Sequence, residues 1–184
     1  MNLEMLNRLF FVFMLLLIFC SCNEEETTAP TDENLLLNTS FEKNGRFSAE
    51  GWKLPALSDS SSDVPPNGGS FSLVLQANAP PEVFAFIKVP VKTNYSINKL
   101  TFWAKSTGVS SDIFGKAVLS LVRNNVEIQS RSIQIDQIAW QSFSILDTFN
   151  VAVGDSFMIK FSGGINQLFS AEAYFDLCQL QGIK

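Results

Sequence analysis

The 184 residues of this chain include no histidine, which leaves carboxylate chemistry and binding. Histidine is the commonest general base and a frequent zinc ligand, so histidine-based triads and histidine-bound zinc are excluded. The turn-like segments hold Asp59, Asp63, Asp112, Asp147 and Asp155, and nothing marks the opposed carboxylate pair of a glycosidase. A net charge of −5 without a basic cluster also argues against nucleic acid as a partner. We therefore expect a binding protein and no enzyme.

Two of the three cysteines, Cys20 and Cys22, stand at the end of an uncharged run that begins at Leu9. A membrane-spanning helix needs about 20 apolar residues, and this run is shorter. Its length fits the hydrophobic region of a signal peptide, with Arg8 as the positive flank. A short hydrophobic anchor is the alternative. Cys178 lies far from both, in an apolar stretch, and is expected to be a small core residue.

The stretch Phe19-Cys20-Ser21-Cys22 resembles a bacterial lipobox, with the small Ser21 before Cys22. This resemblance implies cleavage after Ser21 and lipidation of Cys22, which leaves no Cys-x-Cys metal site or disulfide. Residues 24–26 resemble the acidic tract that sends some lipoproteins to the outer face of the outer membrane; a solvated linker is the alternative. We expect a signal peptide at 1–21, a lipidated acidic tether at 22–34 and one domain at 35–184.

Short runs with alternating apolar residues fill the chain after the tether, separated by Gly, Pro, Asn, Asp and Ser. No segment after Cys22 keeps a helical apolar stripe. The pattern predicts an all-β fold, an antiparallel β-sandwich or jelly roll. The predicted strands are Ser70–Gln76, Val83–Val89, Ile97–Lys105, Lys116–Arg123, Val126–Ile135, Trp140–Leu146, Ser156–Ser162 and Ala173–Leu180.

One predicted strand offers a candidate sugar platform. Alternation directs Leu100, Phe102 and Ala104 toward the core, so that Thr101, Trp103 and Lys105 face outward. An indole plane between hydrogen-bonding side chains suits a carbohydrate ring. The alternative is that a loop or a sheet edge covers Trp103.

A second candidate surface lies on the segment Val83 to Val89, which is apolar on both faces. Phe84 and Phe86 would share one face of this strand. They could stack against a glycan or contact a partner protein. Burial beneath a loop is the alternative.

Three pieces of sequence resemble the galactose-binding-domain-like jelly rolls, most closely the family 4, 9 and 22 carbohydrate-binding modules. They are NLLLNTSFE followed by Gly51-Trp52, then YSINKLTFWAK, then WQSFSI with the closing YFDLCQL. In those modules an acid in the first piece and an acid in the last strand hold a structural calcium ion together with carbonyl oxygens. The resemblance assigns these roles to Glu42 and Asp176, with residues 67–70 as a carbonyl source. Two exposed acids without a metal are the alternative. Phe41, Trp52 and Trp140 are expected to be structural.

The sequence thus predicts a surface lipoprotein of the outer membrane that binds carbohydrate without catalysis. Its partners would be a poly- or oligosaccharide and, through the lipid, a membrane. The alternative is a protein-interaction module on the same fold that serves an envelope complex.

Overall fold

A computed structural model describes residues 33–36, 38–77, 79–107, 115–165 and 171–183. The chain separates after Thr31, and the described residues belong to the compact unit Asp32–Lys184. The predicted signal peptide, Cys22 and nearly all of the acidic tether lie outside the described residues, as does Asp112. The described part of the chain contains no helix that is long and apolar enough to cross a membrane.

Two antiparallel sheets build the domain. The first sheet contains β1 (Glu33–Asn34), β4 (Ser58–Ser61), β5 (Ser72–Gln76), β7 (Ile97–Ser106), β10 (Gln141–Asp147) and β12 (Glu172–Ile183), in the order β10-β7-β12-β5-β4 with β1 paired to β12. The second sheet contains β6 (Ala85–Pro90), β8 (Gly115–Arg123), β9 (Val126–Ile135) and β11 (Ser156–Ser162), in the order β6-β11-β8-β9. A short hairpin pairs β2 (Glu42–Lys43) with β3 (Arg46–Phe47).

The predicted all-β sandwich is confirmed, and each predicted strand corresponds to an observed one within a few residues. Along β7, buried and partly exposed side chains alternate without a break, as predicted for Leu100, Phe102 and Ala104 on the inner face. The short strand β4 was not predicted, because its sequence Ser-Asp-Ser-Ser has no apolar alternation. It forms by pairing with β5, a tertiary effect that local sequence does not reveal.

The core between the sheets is built around aromatic rings. Phe161 of β11 and Phe175 of β12 stack with centroids 4.3 Å apart, which ties the two sheets together. Trp52 stacks on Phe161 at 5.2 Å, and Phe41 contacts Trp52 at the same distance. All four rings are buried. The predicted structural role of Phe41 and Trp52 is therefore confirmed, and each such ring pair adds about 0.5–1.5 kcal/mol beyond its buried area.

The last strand, β12, contains an irregularity that matters for the site described below. Its register against β7 shifts between Asp176 and Gln179, and Leu177 has a φ of +48°. The bulge places both Asp176 and Cys178 in buried positions. Cys178 is a free, buried thiol, as predicted, and burial raises its pKa.

Candidate functional sites

The outward face of the second sheet carries alternating aromatic and basic side chains. Cross-strand pairing sets Phe86 of β6 directly beside Lys160 of β11, and an isolated bridge sets Lys53 beside Phe86 on its other side. Lys53 Nζ lies 5.5 Å from the centroid of the Phe86 ring. Phe86 is therefore flanked by a lysine on each side. We call the set Lys53, Phe84, Phe86, Lys88, Lys116 and Lys160 the lysine–phenylalanine face.

The second ring of this face, Phe84, is also in contact with two cations. Lys160 Nζ lies 5.7 Å and Lys116 Nζ 6.0 Å from its centroid. Both phenylalanines are partly buried, so they are neither core residues nor fully exposed. The sequence left open whether these rings are exposed for a glycan or a partner protein, or buried beneath a loop. In the structure Phe84 and Phe86 are neither fully exposed nor fully buried.

The outward side chains of β8 next to the lysine–phenylalanine face are shielded from solvent. Val118, Ser120 and Val122 of β8 point away from the core, because they alternate with the inward Leu119 and Leu121. They are nevertheless at most 6% exposed. Solvent does not reach this outward-facing row, so its surroundings shield it.

Two of the four lysines on this face are paired with acids. Lys160 Nζ lies 2.7 Å from Glu127 Oε2, and Lys116 Nζ lies 3.5 Å from Glu82 Oε2. Burial alone would raise the pKa of Glu127, but the hydrogen bond and charge of Lys160 outweigh it and lower that pKa. Lys53 and Lys88 have no ion-pair partner among the residues that the structure describes.

The outward face of the first sheet holds the predicted platform residues Thr101, Trp103 and Lys105, all partly exposed as the alternation predicted. Trp103 pairs with Ser142 on one side and Asp176 on the other. Thr101 pairs with Ser144. Trp103 is neither an open platform nor a core residue, and its role in binding stays a prediction.

Lys105 is occupied by its own neighbours. Its ammonium forms an ion pair with Asp63 and lies 4.6 Å from the ring centroid of Tyr174 and 5.6 Å from that of Trp140. Trp140 Nε1 donates a hydrogen bond of 2.8 Å to Asp63 as well. The hydrogen bond from Lys105, added to by that from Trp140, lowers the pKa of Asp63. This cluster pins the loop after β4 to the first sheet, so Lys105 would have to leave it to bind a ligand.

Glu42 and Asp176, the predicted metal ligands, lie against the same glycine loop. Ser70 N donates a hydrogen bond of 2.5 Å to Glu42 Oε1. A Cβ on Gly69 would overlap with the Glu42 carboxylate, and one on Gly68 would lie 2.9 Å from Asp176 Oδ2 and from the Pro65 carbonyl oxygen. Only glycines therefore leave room for both carboxylates.

The carboxyl group of Asp176 is buried and only partly hydrogen-bonded. Its side chain is fully buried, and among the described residues its Oδ2 atom has no hydrogen-bond partner. Leu177 N donates a hydrogen bond of 2.8 Å to Oδ1. Burial, together with the charge of Glu42, raises the pKa of Asp176 to about 7, although the hydrogen bond from Leu177 opposes this rise. A buried carboxyl oxygen without a partner is costly unless a proton or a cation neutralises it.

The chemistry of this site fits a hard cation. Calcium takes six to eight oxygen ligands, including carboxylates and backbone carbonyls. Within the described ranges, no group of three or more acidic or thiol side chains is placed to hold a metal ion. A cation beside Glu42 and Asp176 would therefore need carbonyl oxygens, and that of Pro65 borders the same loop.

Two of the turn acids, Asp147 and Asp155, are buried and paired with arginines. Asp155 is buried and accepts hydrogen bonds from Arg123 Nε at 2.8 Å and Nη2 at 2.7 Å, and chiefly for that reason its pKa falls to about 2. Asp147, also buried, lies 2.6 Å from Arg131 Nε. Both of these acids are therefore engaged by arginine side chains.

No known family model and no curated protein matches the sequence. Solved structures match the fold. The CBM22-1 xylan-binding domain of Xyn10C from Paenibacillus barcinonensis has a TM-score of 0.56 at 17% identity, over 85% of this chain and 98% of that domain. The carbohydrate-binding module TmCBM61, solved with β-1,4-galactotriose, has a TM-score of 0.52 at 15% identity, over 80% and 97% of the two chains.

Part of a larger enzyme also matches. An arabinose-bound GH51 α-L-arabinofuranosidase has a TM-score of 0.58 at 17% identity, over 84% of this chain, but this chain covers only 28% of that enzyme. At these identities the likeness establishes the fold. The domain is a β-sandwich of the kind found in carbohydrate-binding modules, which confirms the predicted jelly roll.

The sequence alone did not single out the lysines of the lysine–phenylalanine face. Lys160 and Lys116 alternate with apolar residues in their strands, which is a usable signal for an outward position. Their approach to Phe84, and that of Lys53 to Phe86, depends on strand order and register. Local patterns do not specify these.

Proposed function

We propose that this chain is a non-catalytic, lipid-anchored surface protein that binds a poly- or oligosaccharide on the lysine–phenylalanine face. The pair of partly exposed rings Phe84 and Phe86 on the outer face of the second sheet, with lysines beside them, supports the proposal. The fold, a β-sandwich of the kind found in carbohydrate-binding modules, supports it as well. Aromatic rings stack on sugar C–H groups, and polar side chains around them bind hydroxyls.

The first sheet supports this choice less well. Trp103 offers an indole, but Lys105 beside it is held by Asp63, Trp140 and Tyr174. A binding group that must first break an ion pair contributes less affinity than a preorganised one.

The test is a glycan array followed by titration of the best ligand onto the full chain in detergent. Phe86→Leu keeps most of the apolar volume but removes the flat ring, and it should weaken binding at least about tenfold, or 1.4 kcal/mol. Trp103→Leu is the matched control on the first sheet and should change affinity by less than about twofold, well under 1.4 kcal/mol. The opposite ranking would move the site to Trp103, and the absence of any glycan ligand would refute carbohydrate binding.

We also propose that the protein does not cleave the glycan that it binds, and the release of reducing ends tests this. The ion pairs of Asp147 and Asp155 support it, because they leave those acids committed to arginines. Prolonged incubation with the bound glycan should release no new reducing ends. A release that disappears when one carboxylate is substituted would identify an enzyme.

A structural calcium ion at Glu42 and Asp176 is also proposed. The unpartnered Asp176 Oδ2 and the glycines that make room for both carboxylates support it. Calcium that binds only the folded state would raise the melting temperature by mass action. Glu42→Ala should abolish that rise; an equal rise in wild type and variant would place the ion elsewhere.

Anchoring through Cys22 to the outer membrane, on the cell surface, completes the proposal and rests on the lipobox resemblance. Cys22→Ser should block processing and release the protein from membranes, whereas Cys20→Ser should change little. Labelled fatty acid still incorporated into Cys22→Ser would contradict it. Protease added to intact cells would test surface exposure.

A second candidate function is binding of an envelope protein along β9. This strand ends the second sheet, and its Val126 and Ile128 are 61% and 44% exposed. Edge strands with exposed apolar side chains can pair with a strand of another protein. Crosslinking from position 128 in cells, absent with an exposed control position such as 92, would support this alternative.

A further inference from the structure

The lysine–phenylalanine face carries a charge opposite to that of the whole chain. The chain has a net charge of −5, yet the described residues of this face hold four lysines against Glu82 and Glu127. Clustered charge of one sign on a protein of the other sign marks a surface for an oppositely charged ligand.

The uncompensated cations are Lys53 and Lys88. Both are exposed, and neither has an acidic partner within the described part of the chain. Lys53 lies over the Phe86 ring at 5.5 Å. Lys88 follows Phe86 by two residues on the same face, and its Nζ donates a hydrogen bond of 2.8 Å to Asn125 Oδ1. Phe86 thus has one ammonium group over its ring and a second lysine two residues further along the same face, and neither lysine is paired with an acid among the described residues.

We infer that the carbohydrate bound here is an anionic polysaccharide, whose sugars carry carboxylate or sulfate groups. This inference rests on the proposed function and names the ligand class of the same site. An acidic sugar presents an apolar C–H face and an anionic group on one ring. The pairing of an aromatic ring with adjacent ammonium groups matches both features at once.

The electrostatic part of this recognition has a measurable signature. Exposed ion pairs weaken as salt shortens the Debye length from about 10 Å at 0.1 M to about 3 Å at 1 M. Contacts between aromatic rings and C–H groups do not weaken in this way. The affinity for an anionic glycan should fall with salt, and the affinity for a neutral glycan should stay nearly constant.

The experiment uses two matched pairs of polymers on the full chain in detergent. The pairs are polygalacturonate with its fully methyl-esterified form, and dextran sulfate with dextran. We expect the anionic member to bind at least about tenfold more tightly at low salt, equivalent to 1.4 kcal/mol, with most of this preference lost at high salt. The pair that shows the larger preference distinguishes carboxylate from sulfate as the recognised group.

Charge-reversal variants test which lysines produce the preference for the anionic polymer. Lys53→Glu and Lys88→Glu should each lower affinity for the preferred anionic polymer by about tenfold or more, or 1.4 kcal/mol. Lys99→Glu makes the same change in net charge on the outward face of the first sheet and should have a much smaller effect. Because Lys53 and Lys88 are exposed, the melting temperatures of the variants should stay close to that of wild type.

Calcium could by itself bridge an acidic polymer to the protein, so Glu42→Ala is included. Binding lost in Glu42→Ala but kept in Lys53→Glu and Lys88→Glu would overturn the inference in favour of the calcium site. Equal affinity for anionic and neutral polymers, insensitive to salt but lost in Phe86→Leu, would overturn it while leaving the proposed function standing. If no polymer and no glycan on the array binds, both the inference and the proposed carbohydrate binding are refuted.

Discussion

The buried carboxyl group of Asp176 predicts an unusual stability profile. In the absence of a cation, burial and the neighbouring Glu42 charge raise its pKa from 3.8 to about 7. The folded state therefore holds a proton that the unfolded state has lost. Below pH 3.8 both states are protonated and no stability is lost. Between about pH 3.8 and 7 only the unfolded state ionises, so the free energy of unfolding falls with rising pH and levels off above about pH 7. Histidine, which ordinarily titrates between pH 5 and 8, is absent from the chain, so Asp176 should dominate this range.

The size of the effect follows from the pKa. One pKa unit corresponds to about 1.4 kcal/mol, so a rise from 3.8 to about 7 amounts to roughly 4 kcal/mol above pH 7. Water that reaches the carboxylate reduces this value, and we expect about 2–4 kcal/mol of lost unfolding free energy. Asp176→Asn removes the charge but keeps the shape. In chelator at pH 8 it should therefore be more stable than wild type by a similar amount.

Calcium should close most of that difference. Bound to the folded state at about 100 times its dissociation constant, it adds about 2.7 kcal/mol to wild type and nothing to a protein without the site. The assay is urea unfolding of the full chain in detergent at pH 5 to 8, with chelator or with calcium. Asp59→Asn, which removes an exposed acid, is the control and should behave like wild type.

Two results would refute this reasoning. Flat wild-type stability from pH 5 to 8 in chelator would show that Asp176 does not titrate there. An Asp176→Asn protein that is less stable than wild type in chelator would show that the carboxylate makes favourable contacts beyond its bond from Leu177.

Three further predictions follow from the packing. Gly69→Ala should abolish stabilisation by calcium although both acids remain, because its Cβ would displace the Glu42 carboxylate; melting curves with and without chelator test this, and an unchanged response would refute the overlap. Phe161→Ala should lower the free energy of unfolding by about 3–5 kcal/mol, because its ring stacks on Phe175 and Trp52. Trp103→Ala should lower it clearly less, and equal losses in urea unfolding would show that Trp103 is a core residue. Asp63→Asn should cost no more than about 1 kcal/mol in urea unfolding, because the pair with Lys105 is half exposed on the Asp63 side; a larger loss would show that the whole cluster collapses.

The fold was predictable where one strand carries its own pattern. The alternation in β7 gives the inner face from the sequence alone, because a strand side chain points to one face or the other. β4 has no such pattern, and its pairing with β5 decides its conformation. The same limit applies to Lys105, whose partner Asp63 is distant in the chain and comes near only through the loop after β4.

The candidate sites were predictable to different degrees. The resemblance supplied Glu42 and Asp176, and the structure brings both to residues 67–70. The sequence marked Phe84 and Phe86 because their strand is apolar on both faces. Whether the face that carries them is open or covered depends on neighbouring strands and loops, which the strand itself does not reveal. The position of Lys53 beside Phe86 could not be predicted, because Lys53 lies outside the main strands and pairs with Phe86 only through an isolated bridge.

The positions of Glu42 and Asp176 also bear on the order of folding. Glu42 lies on β2 and Asp176 on the last strand, β12, so a cation cannot find both carboxylates until β12 has docked. An ion that binds only once both carboxylates are in place adds its stabilisation late in folding, so it should slow unfolding more than it speeds folding. Calcium would thus act mainly on the finished domain, and chelation should appear as faster unfolding.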